Sequence, residues 1–286
     1  VAKFLDAWGF ITPFMKIVGI TARCDRPQAL SLASQIISYL GGRVEVLVET
    51  DTANCLGLEG TPVWQMKDRG AEFIITVGGD GTILRTIQSM PDPLPVLGVN
   101  MGEIGFLVAV SPERCFETLQ EVLEGFEVVE RSRLAVELNR QQLPPAVNEV
   151  VVITAHPAKI LSYQVYIDSK KLERLRADGI IFATATGSTA YAMSAGGPVV
   201  DPRVDATVIV PLAPFKLSSR PWVVPGSSEI KVELTLPDKE AVVVVDGQYT
   251  QNIGLEDKLR LTRAKIPARF VKTGEDFYEK VKNKLK

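Results

Sequence analysis

A glycine-rich run, Gly78-Gly79-Asp80-Gly81-Thr82, stands between a short apolar stretch, Phe73 to Val77, and a helix-like stretch, Ile83 to Ser89. A turn of this kind between strand and helix lets backbone N–H groups approach a phosphate closely. The helix N-terminus adds partial positive charge there. Asp80 in the middle of such a cradle is unexpected, because a carboxylate repels the ligand. It needs a task, such as taking a proton from an attacking hydroxyl or meeting a metal. Otherwise the run is an ordinary tight turn with Asp80 as a helix cap. On five residues alone the two readings stand level. The run is neither GxxxxGK[ST] nor GxGxxG. Arg85, one helical turn later, is within reach of a phosphate, although a solvated helix charge accounts for it more simply.

A second constellation runs from Asp178 to Pro202. The stretch Ile180 to Thr184 reads as a strand. It leads into Thr186-Gly187-Ser188-Thr189-Ala190-Tyr191, followed by Ser194, Ala195, Gly196, Gly197 and Pro198. Hydroxyls and bare backbone cluster there, as close contact with a polar ligand requires, and Tyr191 offers a ring for stacking. A plain Gly/Ser-rich loop is the competing account. A third pair is Asn148-Glu149. An amide beside a carboxylate grips a vicinal diol by donating and accepting together, and carboxylates on ribose hydroxyls recur in dinucleotide sites. Such pairs are also common on surfaces.

Composition narrows the classes. The chain has 286 residues, 46% hydrophobic and 23% charged, with net charge −2. That profile fits a soluble protein of one large or two ordinary domains. No global basic field is present to hold nucleic acid, and the apolar stretches fall short of the ~18 residues of a membrane helix. Cys24, Cys55 and Cys115 are scattered without CxxC spacing, which suggests reduced thiols and a cytoplasmic setting. The single histidine, His156, rules out HExxH and other two-histidine metal sites within one chain, and no GxSxG elbow accompanies it. It reads as a loop residue beside Pro157.

The elements that must position these residues fall into two styles. In the first half, Lys16 to Ile20, Val44 to Val48, Phe73 to Val77 and Val96 to Val99 read as strands. Pro27 to Leu40 reads as a helix with Leu30, Ala33, Ile37 and Leu40 on one face. Ser111 is placed to cap a helix running from Pro112 to Gly125. This alternation predicts a parallel sheet covered by helices. From Leu134 onward the pattern has period two. Leu134, Val136 and Leu138 form one such set. Leu161, Tyr163, Val165 and Ile167 form another, and Ile230, Val232, Leu234 and Leu236 a third. These predict antiparallel strands with one buried face. Asp168 to Lys171 reads as a hairpin turn. Residues 1 to 14 precede the first clear strand and read as an upstream extension or alternative start. The expected division is 15–127, an α/β domain with the GGDGT loop; 128–272, a β-sandwich domain; and 273–286, a C-terminal helix closing onto the first domain.

Taken together, these residues resemble the NAD kinase family from about Lys16 to the C-terminus. The landmarks occur in order: GGDGT at Gly78 to Thr82, Gly105-Phe106-Leu107 after Asn100, Asn148-Glu149, Asp178-Gly179, TGSTAYAMSAGGPVV from Thr186, LSSRPWVVP at Leu217 to Pro225, and Asp246-Gly247-Gln248. GGDGT-like loops also occur in diacylglycerol and sphingosine kinases, so TGSTAY followed by SAGGP is the more specific signal. The resemblance implies a Rossmann-like α/β domain, a C-terminal β-sandwich and an active site in the interdomain cleft. It also implies a homodimer or homotetramer in which a neighbouring subunit helps to line the site.

The implied reaction is transfer of the γ-phosphoryl of ATP, or of polyphosphate, to the adenosine-ribose 2′-hydroxyl of NAD. Mg²⁺ or another divalent cation would arrive with the donor and not in a cage of protein ligands. Asp80 would be the general base. Gly79, Gly81, Thr82 and Arg85 would form the phosphate-donor loop, and Gly81 would also border NAD. Asn148 and Glu149 would bind ribose hydroxyls, Asp178 the nicotinamide side and Phe106 the adenine. Thr186, Thr189, Ala190, Tyr191, Ser194, Ala213, Phe215 and Gln248 would line the NAD pocket. Many bacterial members carry histidine where Phe215 stands, so this wall is expected to be apolar here. Two rivals remain at this stage, a lipid or sphingoid-base kinase sharing the GGDGT loop and a non-catalytic dinucleotide sensor.

Overall fold

The computed structural model describes residues 16–101, 105–107, 110–156, 158–172, 174–236, 240–274 and 276–284. The proposed extension, residues 1–14, lies outside them. The chain forms two compact units. One holds the described residues up to Val129 together with those from Arg269, and the other holds Glu130 to Ala268.

The first unit is built on β1 (Ile17–Ala22), α1 (Pro27–Leu40), β2 (Glu45–Val48), α2 (Thr50–Leu56), α3 (Val63–Met66), β3 (Ala71–Gly78), α4 (Asp80–Gln88), β4 (Val96–Asn100), α5 (Cys115–Glu124) and β5 (Val128–Arg131). Its sheet has the order β2-β1-β3-β4, then the late strand Ala268–Val271, then β5. β1, β2, β3 and β4 pair in parallel, as the alternation of strand and helix predicts. The short β-branched runs are buried on both faces, since β3 is buried at every position except Glu72.

Two details differ from the sequence reading. The buried face of α1 is Ala29, Leu32, Ala33, Ile36 and Leu40, while Leu30 and Ile37 sit half-buried at its rim. The apolar stripe is wide enough to contain both sets, and the sheet selects the one whose small Ala29 and Ala33 allow close approach. Ser111 does not cap α5. A 3-10 turn, Pro112–Arg114, comes first, and the Ser111 hydroxyl bonds the Glu113 carboxylate instead, holding it below the usual glutamate range.

The second unit contains β6 (Leu134–Leu138), β7 (Gln141–Ala146), β8 (Glu149–Thr154), β9 (Leu161–Ile167), β10 (Lys170–Lys171), β11 (Leu175–Ala177), β12 (Gly179–Thr184), α6 (Tyr191–Ser194), β13 (Ala206–Leu212), β14 (Trp222–Pro225), β15 (Ile230–Leu234), β16 (Ala241–Val245), β17 (Tyr249–Ile253) and β18 (Lys258–Arg263). One antiparallel sheet has the order β10-β9-β15-β18-β6-β7, with β11 also on β9. The other has the order β14-β13-β12-β8-β16-β17. Inward residues of both sheets share one core, including Val136, Tyr163, Val165, Val152, Phe182 and Val243. This is the expected sandwich.

Period two holds in β6 and β15 but fails in β9, where Ser162 and Gln164 are buried as well. Both are satisfied there. Gln164 Nε2 donates to the Val165 and Leu172 carbonyls, and Ser162 Oγ accepts from Arg174 and Thr235. The predicted turn is a two-residue hairpin with Asp168 and Ser169 at φ 48° and 66°. Asp168 is also tied by Ser228 and by the Glu229 N–H.

Candidate active site

In the first unit the glycine-rich run bridges β3 and α4. Gly79, extended at φ −110° and ψ −173°, is the residue that precedes the helix, and its carbonyl accepts from the N–H groups of Thr82 and Ile83. Asp80 is therefore not the cap. It stands in the first turn of α4, where the N–H groups of Asp80 and Gly81 have no helical carbonyl to bond. Its carboxylate turns away to a different segment, where Oδ2 accepts from Phe106 N at 2.8 Å and Oδ1 from Leu107 N at 3.1 Å.

The glycines of this region divide by what surrounds them. A Cβ on Gly78 would fall 2.3 Å from Thr82 Oγ1, and one on Gly105 would fall 2.0 Å from Asp80 Oδ1. These two are required by the protein's own packing. Beyond α4's own backbone, a Cβ on Gly79 or Gly81 would meet nothing within 4 Å among the described residues, so packing there does not demand glycine. Thr82 is buried, while Gly81 and Arg85 are exposed.

In the second unit Asn148 and Glu149 sit where β8 begins, 7% and 8% exposed. Asp246, in the turn after β16, fixes them. Its Oδ2 accepts from Val147 N at 2.7 Å, and its Oδ1 accepts from Asn148 N and Glu149 N at 2.8 and 3.0 Å. Thr184, at the end of β12, donates to the Val147 carbonyl and accepts from Gly187 N. This brings the Thr186–Thr189 3-10 turn against Asn148, so closely that a Cβ on Gly187 would fall 2.1 Å from the Asn148 carbonyl oxygen.

Ser188 is fully buried and pins the turn through the Ala185 carbonyl and both backbone groups of Val200. The Tyr191 N–H reaches the Glu149 carboxylate, and the Tyr191 ring is left exposed. Glu149 Oε2 is buried and lacks a hydrogen-bond partner among the described residues. Burial, with the charge of Asp246 added, raises the Glu149 pKa to about 7, while the Tyr191 N–H pulls the other way.

The fold thus gathers Asn148, Glu149, Thr186, Thr189, Ala190 and Tyr191 at one corner of the second unit, with Ser194 at the end of α6 and Gln248 exposed beyond Asp246. It does not gather Asp178, Ala213 and Phe215 with them. Those lie at the other end of β12, joined by bonds from Asp178 N to the Leu212 carbonyl and from Phe215 N to the Arg176 carbonyl. The six residues of β12 stand between, roughly 20 Å at about 3.3 Å per residue. Ala213 is exposed at φ 43°. Phe215 is 67% exposed, with the Arg176 guanidinium 4.9 Å from its ring centroid.

The sequence places Thr184 only at the end of a strand and Ser188 and Asp246 only within motifs, and assigns none of the three a role in holding the site. No local rule tells which distant amide a buried side chain will meet. His156 is an exposed loop residue near Glu240, and the three cysteines are free. Among the described residues no cluster of three or more His, Cys, Asp or Glu side chains is arranged to hold a metal. No helix among them is long and apolar enough to cross a membrane.

A parallel α/β unit with a GGDGT turn on a helix N-terminus, followed in the chain by a β-sandwich unit with an Asn-Glu and TGSTAY corner, defines a two-unit kinase class. Residues 18–126 match the ATP-NAD kinase N-terminal domain, and residues 147–273 match the ATP-NAD kinase C-terminal domain. The chain belongs to the NAD kinase family. It is 53% identical over 272 residues to an NAD kinase of Methanosarcina barkeri, covering 95% of this chain and 99% of that one. It is 41% identical to an NAD kinase of Thermococcus kodakarensis, covering 94% and 98%. Its structure is similar to that of an Archaeoglobus fulgidus NAD kinase in complex with ATP, with TM-score 0.79, 31% identity and coverage of 93% and 98%. It is also similar to yeast NADH kinase complexed with NADH, with TM-score 0.86, 26% identity and coverage of 95% and 87%.

Proposed function

We propose that the protein is an NAD kinase that transfers the γ-phosphoryl of ATP to the adenosine-ribose 2′-hydroxyl of NAD, giving NADP. The observation that carries this is a carboxylate, Asp80, fixed in the first turn of a phosphate-type helix N-terminus in a chain that matches both domains of the family. The lipid-kinase and sensor readings have no comparable support.

In the reaction, the open backbone at Gly79 and Gly81 and the first-turn amides of α4 receive the donor phosphates. Thr82 shapes the loop, and Arg85 faces the same solvent side. Asp80 orients the 2′-hydroxyl and takes its proton late, because phosphoryl transfer has a loose transition state that demands little early deprotonation. Its two backbone donors fix the carboxylate, so its role is positioning as much as basicity. A divalent cation such as Mg²⁺, bound to the donor's phosphates, would supply charge compensation there.

Asn148 and Glu149 take ribose hydroxyls. Thr186, Thr189, Ala190, Tyr191, Ser194 and Gln248 line the dinucleotide, and Phe106 meets adenine. Asp178, Ala213 and Phe215, far from Glu149 along β12, fit the contribution of a neighbouring subunit in a homodimer or homotetramer. The exposed apolar residues Leu217, Trp222 and Val223 nearby would suit such an interface. An apolar Phe215 wall alters the balance between NAD and NADH without abolishing turnover.

The test is incubation of the full chain with NAD, ATP and Mg²⁺, with NADP read by an NADP-specific dehydrogenase. Formation of NADP is expected. NAD binding without product from ATP, from polyphosphate or with NADH as acceptor would transfer the case to a sensor. Gly81→Ala gives a second check. Beyond the helix's own backbone, the new methyl meets no atom of the described residues within 4 Å, and alanine is favoured over glycine in a helix by about 1 kcal/mol. Thermal stability is therefore expected to hold or rise while the KM for ATP rises. An unchanged KM would remove the donor phosphates from this loop.

A further inference from the structure

Two carboxylates, Glu149 and Asp246, are buried side by side at the dinucleotide corner, 8% and 4% exposed. Their surroundings differ. Asp246 is saturated by three consecutive backbone N–H groups, from Val147 to Glu149. Glu149 receives the Tyr191 N–H but keeps Oε2 buried without a partner among the described residues. Among the described residues, the charged neighbour that acts on Glu149 is Asp246. The strand neighbours in register with this end of β8, Ala183 on β12 and Val245 on β16, bring no charge. From α6 comes the backbone of Tyr191.

An unpartnered buried oxygen costs free energy until something bonds it. Holding it in place requires that the β8 entry be locked from elsewhere, and the Asp246 turn does this. Asp246 and Gly247 both adopt left-handed backbone, φ 49° and 65°. That bend folds the aspartate carboxylate back onto the start of β8, next to the strand from which it emerges.

We propose that Asp246 is a positioning residue for the dinucleotide site, holding the backbone of Val147 to Glu149 and coupling dinucleotide binding to the protonation of Glu149. This rests on the assignment of NAD as the ligand of that corner. The sign follows from the chemistry. An ionised Glu149 accepts hydrogen bonds from ribose hydroxyls with both oxygens, whereas the protonated acid has lost one accepting position to its own proton. Burial and the like charge of Asp246 place the change near pH 7. NAD binding therefore tightens as pH rises through that value and levels off above it. Removing the Asp246 charge lets Glu149 ionise at lower pH and moves the midpoint down. Keeping the charge but lengthening the side chain spoils the three amide bonds and leaves the midpoint in place.

The experiment is calorimetric titration of NAD into the full chain from about pH 5.5 to about pH 8.5, bracketing the ordinary and raised carboxylate ranges. Wild type, Glu149→Gln, Asp246→Asn and Asp246→Glu are compared, each first checked for folding by its thermal transition. As pH rises toward the midpoint, wild-type Kd is expected to fall by up to about tenfold per pH unit, the limiting slope for one coupled proton, and Glu149→Gln to be flat. Asp246→Asn should show a lower midpoint and weaker binding at high pH. Asp246→Glu should keep the wild-type midpoint with a Kd raised on the order of 10- to 100-fold.

Wild-type midpoint in Asp246→Asn, or wild-type pH dependence in Glu149→Gln, overturns the proposal. If Asp246→Asn does not fold, a wild-type Kd in Asp246→Glu overturns the positioning role, and Glu149→Gln decides the coupling as before. NAD that binds without pH dependence sinks this inference alone, whereas a folded wild-type chain that does not bind NAD at any pH sinks the functional assignment as well.

Discussion

Asp80→Asn is expected to lower kcat by roughly 10²- to 10⁴-fold, the usual contribution of a positioned acid–base group, while NAD affinity and the thermal transition stay near wild type. Asp80 sits in the first turn of α4, yet its two oxygens are spent on the N–H groups of Phe106 and Leu107. Those bonds hold the carboxylate in one orientation, ready for the hydroxyl that it must orient. Asparagine keeps one amide bond and presents an N–H group where the other acceptor stood. It can orient the loop in part but takes no proton. Because Gly105 packs against Asp80 Oδ1 at a distance that admits no Cβ, the substitution leaves little room for the side chain to swing elsewhere. Steady-state kinetics with both substrates, beside an NAD titration, check this. A near-normal kcat would remove Asp80 from the chemistry. A kcat loss matched by an equal loss of NAD affinity would make it a binding residue instead.

Gly187→Ala carries the second large effect. An ideal Cβ there lies 2.1, 2.4 and 2.6 Å from the O, C and Cα atoms of Asn148. These are backbone atoms, and they are held from both sides. The Asn148 carbonyl accepts from Thr184 N, and Asn148 N donates to Asp246. A flexible side-chain end could move aside, but this segment cannot without breaking those bonds. Forced overpacking of this kind costs about 1–3 kcal/mol or more, which lowers Tm by about 2–4 °C per kcal/mol for a chain of this size. The displaced Asn148-Glu149 edge should also weaken NAD binding on the order of 10²-fold. Scanning calorimetry and NAD titration read the two losses. A variant with wild-type Tm and Kd would show that the two segments do not approach as described.

Both predictions turn on contacts between segments distant in the chain, and this separates what was legible in the residues from what was not. The parallel strands of the first unit and the alternating strands β6 and β15 of the second could be read directly. Their apolar periods are local, and a period of two or a β-branched run needs no knowledge of partners. The GGDGT and TGSTAY runs could be read because glycine and small hydroxyl residues in a strand-to-helix connection have few other uses. β9 was misread on one face, since Ser162 and Gln164 are buried by bonds to Arg174, Thr235 and Leu172, which period two does not encode. The buried face of α1 was displaced because a wide stripe leaves the sheet to choose among its edges.

The sequence by itself determined the family, the two styles of architecture and the identity of Asp80, Asn148 and Glu149 as residues with chemistry. Tertiary structure alone decided how they are held. Asp80 is not a cap but a carboxylate clasped by Phe106 and Leu107. Glu149 is buried with one oxygen unpartnered among the described residues, and Asp246, 97 residues away, bonds its backbone N–H. Asp178 and Phe215 fall at the opposite end of β12 from the residues with which their motifs were grouped. The physical reason is the same in each case. Residue type and spacing fix local conformation and chemical capacity, whereas burial, hydrogen-bond partners and ionisation depend on which segments pack together, and that is a property of the folded chain as a whole.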